Sequence, residues 1–548
     1  MFKWLKSGSP WIWLTGGAVS ISLLSVLGLL LLIGWKGLSY FWPANLHQWQ
    51  TTQGNVLVGQ IYDSEAIPVN HLREMDYQLP SEVREKGLVT RHSIKIANRD
   101  HYDADFISIL DIDIESVTTP SGWMVVERTR NGDFFGVPVS YRHADNTVSD
   151  EIDDNLELGL QFSTQLKEEI DALIEQDIRS ASRQVERLRL QKRRLELNDS
   201  LTEEFATSYR EQLAYYQQQL LAAESTLDAL RAQLSLQALI MRDMQGQEVE
   251  IPLNQILRAW YPNDMSLPEK AAHWATQVWR FLSENPRESN SEGGVFPAIF
   301  GTVLLVLIMS VIVMPLGVIA AIYLHEYAKN NAFTRIIRVA VINLAGVPSI
   351  VYGVFGLGFF VYTLGGSIDS LLYSERLPAP TFGTPGLLWS ALTLAVLTLP
   401  VVIVATEEGL TRIPSSVRHG SLALGATQSE TLWRIVLPMA SPAIITGLIL
   451  AIARAAGEVA PLMLVGAVKM TSNLPVDGQF PFLHLERKFM HLGFHIYDVG
   501  FQTTNIEAAR PLVYATSFLL VTVIVSLNLT AISIRNNLRE KYRTLGQD

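Results

Sequence analysis

Arg454 and Glu458 stand four residues apart inside Met439–Val468, a segment otherwise almost wholly apolar. Four residues is close to one helical turn, so on a continuous helix the two side chains share a face and can pair. An ionised arginine deep in a membrane helix costs about 2.5–3.5 kcal/mol on insertion scales, so it is expected to face a polar cavity and a partner. At 1.5 Å per residue, Arg454 is expected roughly 20 Å along the helix from Pro438, near mid-membrane. A guanidinium fork matches the oxygens of a tetrahedral oxyanion, and Glu458 can hold it as an ion pair until the anion competes. The same spacing also suits a structural pair between helices. Asn343, Ser349 and Tyr352 are further polar residues, in an apolar stretch broken by Gly346 and Pro348. They either line a polar path or satisfy backbone groups freed by the break.

Other chemistries find less support. His491 and His495 have the spacing of metal ligands on one helix face, with His484 in the same loop, but a wet interfacial pair explains them more simply and no metal site is expected. Glu407 and Glu408 lie at the end of an apolar helix without a nucleophile beside them, which suits packing or coupling rather than acid–base work. The string Gly-x-x-x-x-Gly-Lys-Ser/Thr does not occur, so ATP, if it is the fuel, is bound by another chain. No catalytic residue and no cofactor is expected here. The chain has no cysteine, which removes disulfides and thiolate metal sites.

The elements that position Arg454 are membrane helices. Hydrophobic residues make up 48% of the chain and mean hydropathy is +0.19, high for a soluble protein of this size. Six apolar segments reach or approach the roughly 20 residues needed to span a bilayer. They are Trp11–Ile33, Val295–Leu324, Val339–Leu364, Gly386–Val404, Met439–Val468 and Leu512–Ile534. The first follows Lys3 and Lys6 and reads as a retained signal anchor, a cleaved signal peptide being the alternative. One set of short loops holds twelve Lys and Arg, among them Lys329, Arg335, Arg412 and Arg434, whereas the opposite set holds five. Both termini are therefore expected to be cytoplasmic and the long insert outside. The fold class is mainly α integral membrane, with a mixed α/β extracytoplasmic insert.

That organisation divides the chain into a tail and first helix over 1–36, the insert over 37–292, a core over 293–536 and a tail over 537–548. Lys36 to Glu292 holds 25 of the 43 basic residues but 41 of the 54 acidic ones, so the insert carries the negative charge. Residues 54–145 alternate apolar and polar as half-buried strands do, with Asn131-Gly132 as a hairpin turn. Over 163–242 the period becomes seven: Ile174, Ala181, Leu188 and Leu195, then Leu213, Leu220, Leu227 and Leu234, with Tyr216, Ala223 and Leu230 beside them. Ser200 with Glu203 makes a capping-box pattern, favouring an antiparallel hairpin over one continuous coiled coil. A return strand and linker are expected over 243–292.

Between the fourth and fifth apolar segments the chain reads Arg418-His419-Gly420-Ser421-Leu422-Ala423-Leu424-Gly425, then Ile435-Val436-Leu437-Pro438. A short helix from Pro414 to Leu424, stopped by Gly425, can lie on the membrane surface. This resembles the EAA loop of ABC importer permeases in its spacing, with His419 and Gly420 in place of the usual Glu and Ala. Asn343 to Gly353, Ala405-Thr406-Glu407-Glu408 and Ala453 to Glu458 resemble the PstA-type permease of phosphate-specific importers, and the likeness covers most of 293–535. The resemblance implies the type I ABC importer permease fold and translocation of inorganic phosphate by alternating access. It implies a coupling loop over 405–438 in which Arg418, His419, Gly420, Ser421, Leu422 and Gly425 meet the ATPase. It implies as partners a second, PstC-type permease subunit, a dimer of cytoplasmic ATP-binding subunits and a periplasmic phosphate-binding protein, in the bacterial inner membrane and without nucleic acid. An acidic insert repels phosphate, so capture is expected on that binding protein. The hairpin is then either a docking post or simply self-packed. The rival readings are a permease for sulfate or molybdate and a membrane-anchored coiled-coil scaffold or sensor.

Overall fold

The structure is a computed structural model that describes residues 9–69, 87–102, 104–287, 292–329, 331–503 and 506–544. Lys3 and Lys6 lie outside the described residues. The chain divides into two compact units, Met1–Tyr40 with Val278–Asp548, and Phe41–Gln277. The second unit is thus shorter than the insert drawn at 37–292, and ends inside the helix Leu267–Ser283. The last turn of that helix belongs to the membrane unit, where the carbonyl of Phe281 accepts from the Val295 N–H at 2.8 Å.

Among the described residues six helices are long and apolar enough to span: Trp11–Ser39, Phe296–Tyr327, Ser349–Leu372, Leu387–Thr411, Gln428–Gly457 and Ala509–Asn537. They are called spans one to six below. Two depart from the sequence expectation, and proline explains both. Val339–Leu364 is not one helix. Ala332–Leu344 is a separate helix, the chain turns at Ala345–Val347, and span three opens after Pro348. The residue before a proline is pushed out of helical conformation, which places the boundary at Val347. Span five likewise stops at Gly457 instead of running to Val468, and a short helix, Ala460–Val465, follows. Pro461 has no N–H for the Gly457 carbonyl four residues back, and its ring would crowd that carbonyl. Gly457 and Pro461 therefore break the helix.

Spans two, four and five form the core of the membrane unit, around Leu305, Met309, Leu394, Val402, Ala451 and Ala455. Lipid supplies no hydrophobic drive between membrane helices, so close approach of small residues supplies the packing. A Cβ added at Gly317 would lie 2.6 Å from Val402, one at Gly447 2.7 Å from Ala405, and one at Gly37 2.7 Å from the Ala515 backbone. The last of these seats span one on span six.

The second unit begins with an antiparallel sheet of five strands: β1 (His47–Thr51), β2 (Val56–Pro68), β3 (Leu88–Lys95), β4 (Phe106–Leu110) and β5 (Ile114–Thr118), in the order β4-β3-β2-β1-β5. A second sheet holds β6 (Met124–Arg128), β7 (Phe134–Arg142), β8 (Val148–Ser149), β9 (Ala238–Arg242), β10 (Glu248–Pro252) and β11 (Ile256–Trp260). Its order is β10-β9-β7-β6-β11, with β8 beside β7. In the turn joining β6 to β7, Asn131 (φ 65°) and Gly132 (φ 69°) both take the left-handed backbone of a tight hairpin turn. Buried Arg128 braces it, donating to the Asn131 and Gly132 carbonyls and to both oxygens of Asp100.

The helical hairpin is inserted between β8 and β9. Its first arm runs from Ile152 to Leu197 through a π-helical turn at Ile174–Ile178, and its second is Glu203–Leu234. It is offset from the 163–242 drawn by periodicity, because Ala238–Arg242 leaves the helix to pair with β7 and β10. The second arm is capped by Thr202, whose Oγ1 accepts from Phe205 N at 3.3 Å, and not by Ser200, whose hydroxyl turns back to Leu195. Leu166 and Ile170 of the first arm pack on Leu227, Leu230 and Leu234, while Lys192 near the tip lies over Tyr209, so the arms are antiparallel. Ala181, Leu188 and Ala223 continue the buried seam, and self-packing accounts for the heptads.

At Gly353 an added Cβ would sit 2.7 Å from the Pro461 Cα. Gly353→Val is expected to cost about 1–3 kcal/mol, as overpacking does, and to appear as a lower melting temperature of the purified protein in detergent.

Candidate functional site

The break after span five decides where the charged pair lies. Arg454 occupies the last turn of Leu437–Gly457, and Glu458 is the first residue beyond it, with extended backbone (φ −79°, ψ 129°). The pair therefore sits at a helix end and not on one continuous helix at mid-span. Arg454 Nε remains 3.5 Å from Glu458 Oε1, with side chains 30% and 20% exposed. Ala451, Ala455 and Ala456 turn into the core, whereas Arg454 shares its face with exposed Leu450 and Gly457. The guanidinium is thus on the open side of span five, and is not sealed among its neighbours.

Tyr352 is buried in span three, and its Oη donates to the Leu344 carbonyl at 2.7 Å. Gly353 next to it seats span three on the short helix Ala460–Val465. Asn343 and Ser349 are placed differently. Asn343 is exposed on the separate helix Ala332–Leu344, where its carbonyl accepts from Gly346 N in the turn, and half-buried Ser349 opens span three. Of the two, only the Asn343 carbonyl is bonded within the break between those helices.

The second feature is the surface helix Ser415–Ala423 after span four. Gly425 at φ +88° ends it, a conformation that disfavours a side chain. A capping box of Thr427 and Glu430 then starts span five. Arg418 turns inward: its Nη2 donates to Glu326 Oε1 and to the Leu410 carbonyl, both at 2.9 Å, which fastens the helix to the ends of spans two and four. Ser421 is buried against Thr431, their hydroxyls 2.8 Å apart. His419, Gly420, Leu422 and Gly425 face outward. Leu424, 91% exposed, and exposed Trp433 join them, although neither was singled out in the sequence. Their signal was an apolar residue directly before a helix-stopping glycine, and a tryptophan one turn into the next helix. Glu407 has a packing role, its Oε1 3.7 Å from Arg338 Nε of Ala332–Leu344, while Glu408 is exposed.

The histidines are not a wet pair. His491 and His495 are buried at the start of the helix Leu492–Phe501, where His491 Nδ1 caps Gly493 N at 3.1 Å. Burial lowers both imidazoles from 6.5 to about 4, with the Lys469 charge adding to the effect at His495. His484 is engaged elsewhere, between Asp477 at 3.0 Å and Glu486 at 3.2 Å. Among the described residues no three His, Asp or Glu side chains are arranged to hold a metal.

A family model described as "binding-protein-dependent transport system inner membrane component" matches residues 313–544. The phosphate transport system permease protein PstA 1 of Mycobacterium tuberculosis is 34% identical over 244 residues, 44% of this chain and 70% of that protein. The probable ABC transporter permease protein YqgI of Bacillus subtilis is 31% identical over 258 residues, 46% of this chain and 81% of that protein. A solved chain of the inward-facing MetNI methionine ABC transporter aligns with 50% of this chain and 99% of its own length, at 18% identity and a TM-score of 0.32.

Replacing Arg418 by Met is expected to free the surface helix from Glu326 and Leu410, read as faster backbone hydrogen exchange over 415–423 with little change over span five. The imidazoles give a pH dependence of definite sign. With native values near 4 and unfolded values near 6.5, their stabilising contribution is complete above pH 6.5 and is lost as pH falls toward 4. Each contributes up to about 3 kcal/mol. Melting temperature should drop from pH 7 to pH 4.5, and drop less in His491→Asn/His495→Gln.

Proposed function

The chain belongs to the family of binding-protein-dependent transport system inner membrane components, and on that premise we propose that it is the phosphate-translocating permease subunit of an ATP-driven importer. The observation that carries the reading is Arg454, a cation on the open face of an apolar helix, tethered at 3.5 Å to a carboxylate that lies beyond the helix end. Relatives 34% identical whose names specify phosphate transport supply the identity of the anion.

Phosphate at neutral pH offers three oxygens or more to a guanidinium fork, and charge-assisted bonds of this kind are about twice as strong as neutral ones. Glu458 keeps Arg454 paired while the path is empty, and the arriving anion competes for it. Glu458 as a fixed acceptor also makes release favourable, since the pair re-forms when phosphate leaves. Tyr352 has its hydroxyl committed to Leu344. The Asn343 carbonyl stabilises the turn before span three by accepting from Gly346 N.

The open face of span five is where a second permease subunit of the PstC type completes the path. A dimer of ATP-binding subunits supplies the fuel, and this chain moves without catalysing. Their cleft receives the surface helix through His419, Gly420, Leu422 and Leu424, while Arg418 and Ser421 hold it to the membrane unit. Gly425 allows the chain to turn back into span five. A periplasmic binding protein delivers the anion, in keeping with an insert whose acidic charge repels it. This arrangement puts the surface helix and both termini in the cytoplasm and the Phe41–Gln277 unit in the periplasm.

The test is radiolabelled phosphate uptake into vesicles holding the parent or Arg454→Gln chain with its ATPase, second permease and binding protein. Arg454→Gln is expected to reduce uptake about 10- to 100-fold, the equivalent of one charge-assisted hydrogen bond. Undiminished uptake would remove Arg454 from the path. Sulfate or molybdate moving in preference to phosphate would establish the rival importer reading. Normal anion uptake by cells lacking the chain would favour a scaffold.

A further inference from the structure

Past the break, the chain leaves the short helix Ala460–Val465 and reaches a second cation, Lys469. Its Nζ lies 3.3 Å from Asp498 Oδ2. The Asp498 side chain is wholly buried, whereas that of Lys469 is 38% exposed. The cation is the exposed member of the pair and its counter-charge is buried, so an approaching anion meets the ammonium first. Arg454 and Glu458 have the same order, with the cation the more exposed member.

Both ends of the Lys469 pair are held rigidly. On the lysine side, the Val465 carbonyl accepts from Gly386 N at 2.8 Å and Val468 N donates to the Phe489 carbonyl at 3.0 Å. A Cβ at Gly466 would meet Ser390 Oγ at 2.5 Å and the Gly386 carbonyl at 2.6 Å, so the backbone just before Lys469 is wedged against the start of span four. On the aspartate side, the helix Leu492–Phe501 is pinned to span two where Leu492 N donates to Thr302 Oγ1 at 2.9 Å. The neighbouring imidazoles of His491 and His495 are buried and neutral at physiological pH, so they do not replace Lys469 as counter-ion.

Chain order sets the sequence of encounters. Span five starts at the surface helix, Arg454 is in its last turn, and Lys469 lies beyond the break. We propose that Lys469 is a second anion-contacting residue, the outer of two cations that bracket the break after span five, with buried Asp498 positioning it for a tetrahedral oxyanion. The inference rests on the transport reading above and adds to it a contact on the side remote from the surface helix. A fixed outer ammonium receives the anion where a binding protein releases it, and the guanidinium of Arg454 takes it onward.

The competing role for Lys469 is only to neutralise Asp498, because removing one partner of a buried pair strands a charge. Reconstituted complete transporter separates the two roles through the phosphate moved per ATP hydrolysed, with assembly checked by co-purification. Lys469→Gln should lower that ratio about tenfold while ATP turnover stays within about twofold, and Lys469→Arg should restore most of it. Lys469→Gln/Asp498→Asn removes both charges of this pair together and should stay impaired. Where the single variant fails to assemble, the double variant carries the test. A double variant with the parent's ratio, or an unchanged ratio in Lys469→Gln, overturns the inference while leaving the transport reading intact. Absence of phosphate uptake by the parent would overturn both.

Discussion

A guanidinium inside a bilayer must be paired, hydrated or moved to an interface, since hydrocarbon offers it nothing. In this protein the answer is a broken helix. Pro461 withdraws the N–H that the Gly457 carbonyl would accept, span five ends, and Glu458 turns into extended backbone just past the arginine. Arg454 then sits in the last helical turn, where the partial negative charge of the helix C-terminus favours a cation, with the carboxylate as a second source of compensation. Non-helical backbone at membrane depth is tolerated where it is buried in protein or lines a cavity. Gly353 against Pro461, and Gly466 against span four, provide that shelter.

The remaining membrane unit can be understood as the support this break needs. Spans two, four and five approach closely because Gly317, Gly409 and Gly447 leave room for a neighbour's side chain. Methylene-tight packing resists small deformations, so displacement at one end is passed on as rigid-body motion. The surface helix is joined to this body at defined points, Arg418 to Glu326 and Leu410, and Ser421 to Thr431. Its outward residues are left available, and one of them, Leu424 at 91% exposure, is apolar.

The Phe41–Gln277 unit follows separate rules. Its two sheets and helical hairpin have their own cores of buried apolar side chains. The hairpin's apolar seam is used internally, which leaves the acidic surface as the unit's outward character. Such a surface suits a protein-facing role far better than anion capture.

Periodicity and composition alone were enough to recognise the membrane class, the number of spans, the antiparallel hairpin and the surface helix stopped by Gly425. These depend on local rules, namely runs of apolar residues, a seven-residue repeat and glycine's tolerance of positive φ, each legible over a few turns of chain. The Arg454–Glu458 pairing was also legible, though for a different geometry, because the consequence of Pro461 four residues beyond Gly457 outweighs the helical register. What only tertiary structure decided is exposure. Arg418 and Ser421 turned inward while Leu424 turned outward, His491 and His495 became buried, and Lys469 was joined to Asp498, 29 residues further on. Spacing along a helix states which residues share a face, but which face meets a neighbour depends on chains of contact dozens of residues apart, and burial, not residue type, then sets each group's charge and partner.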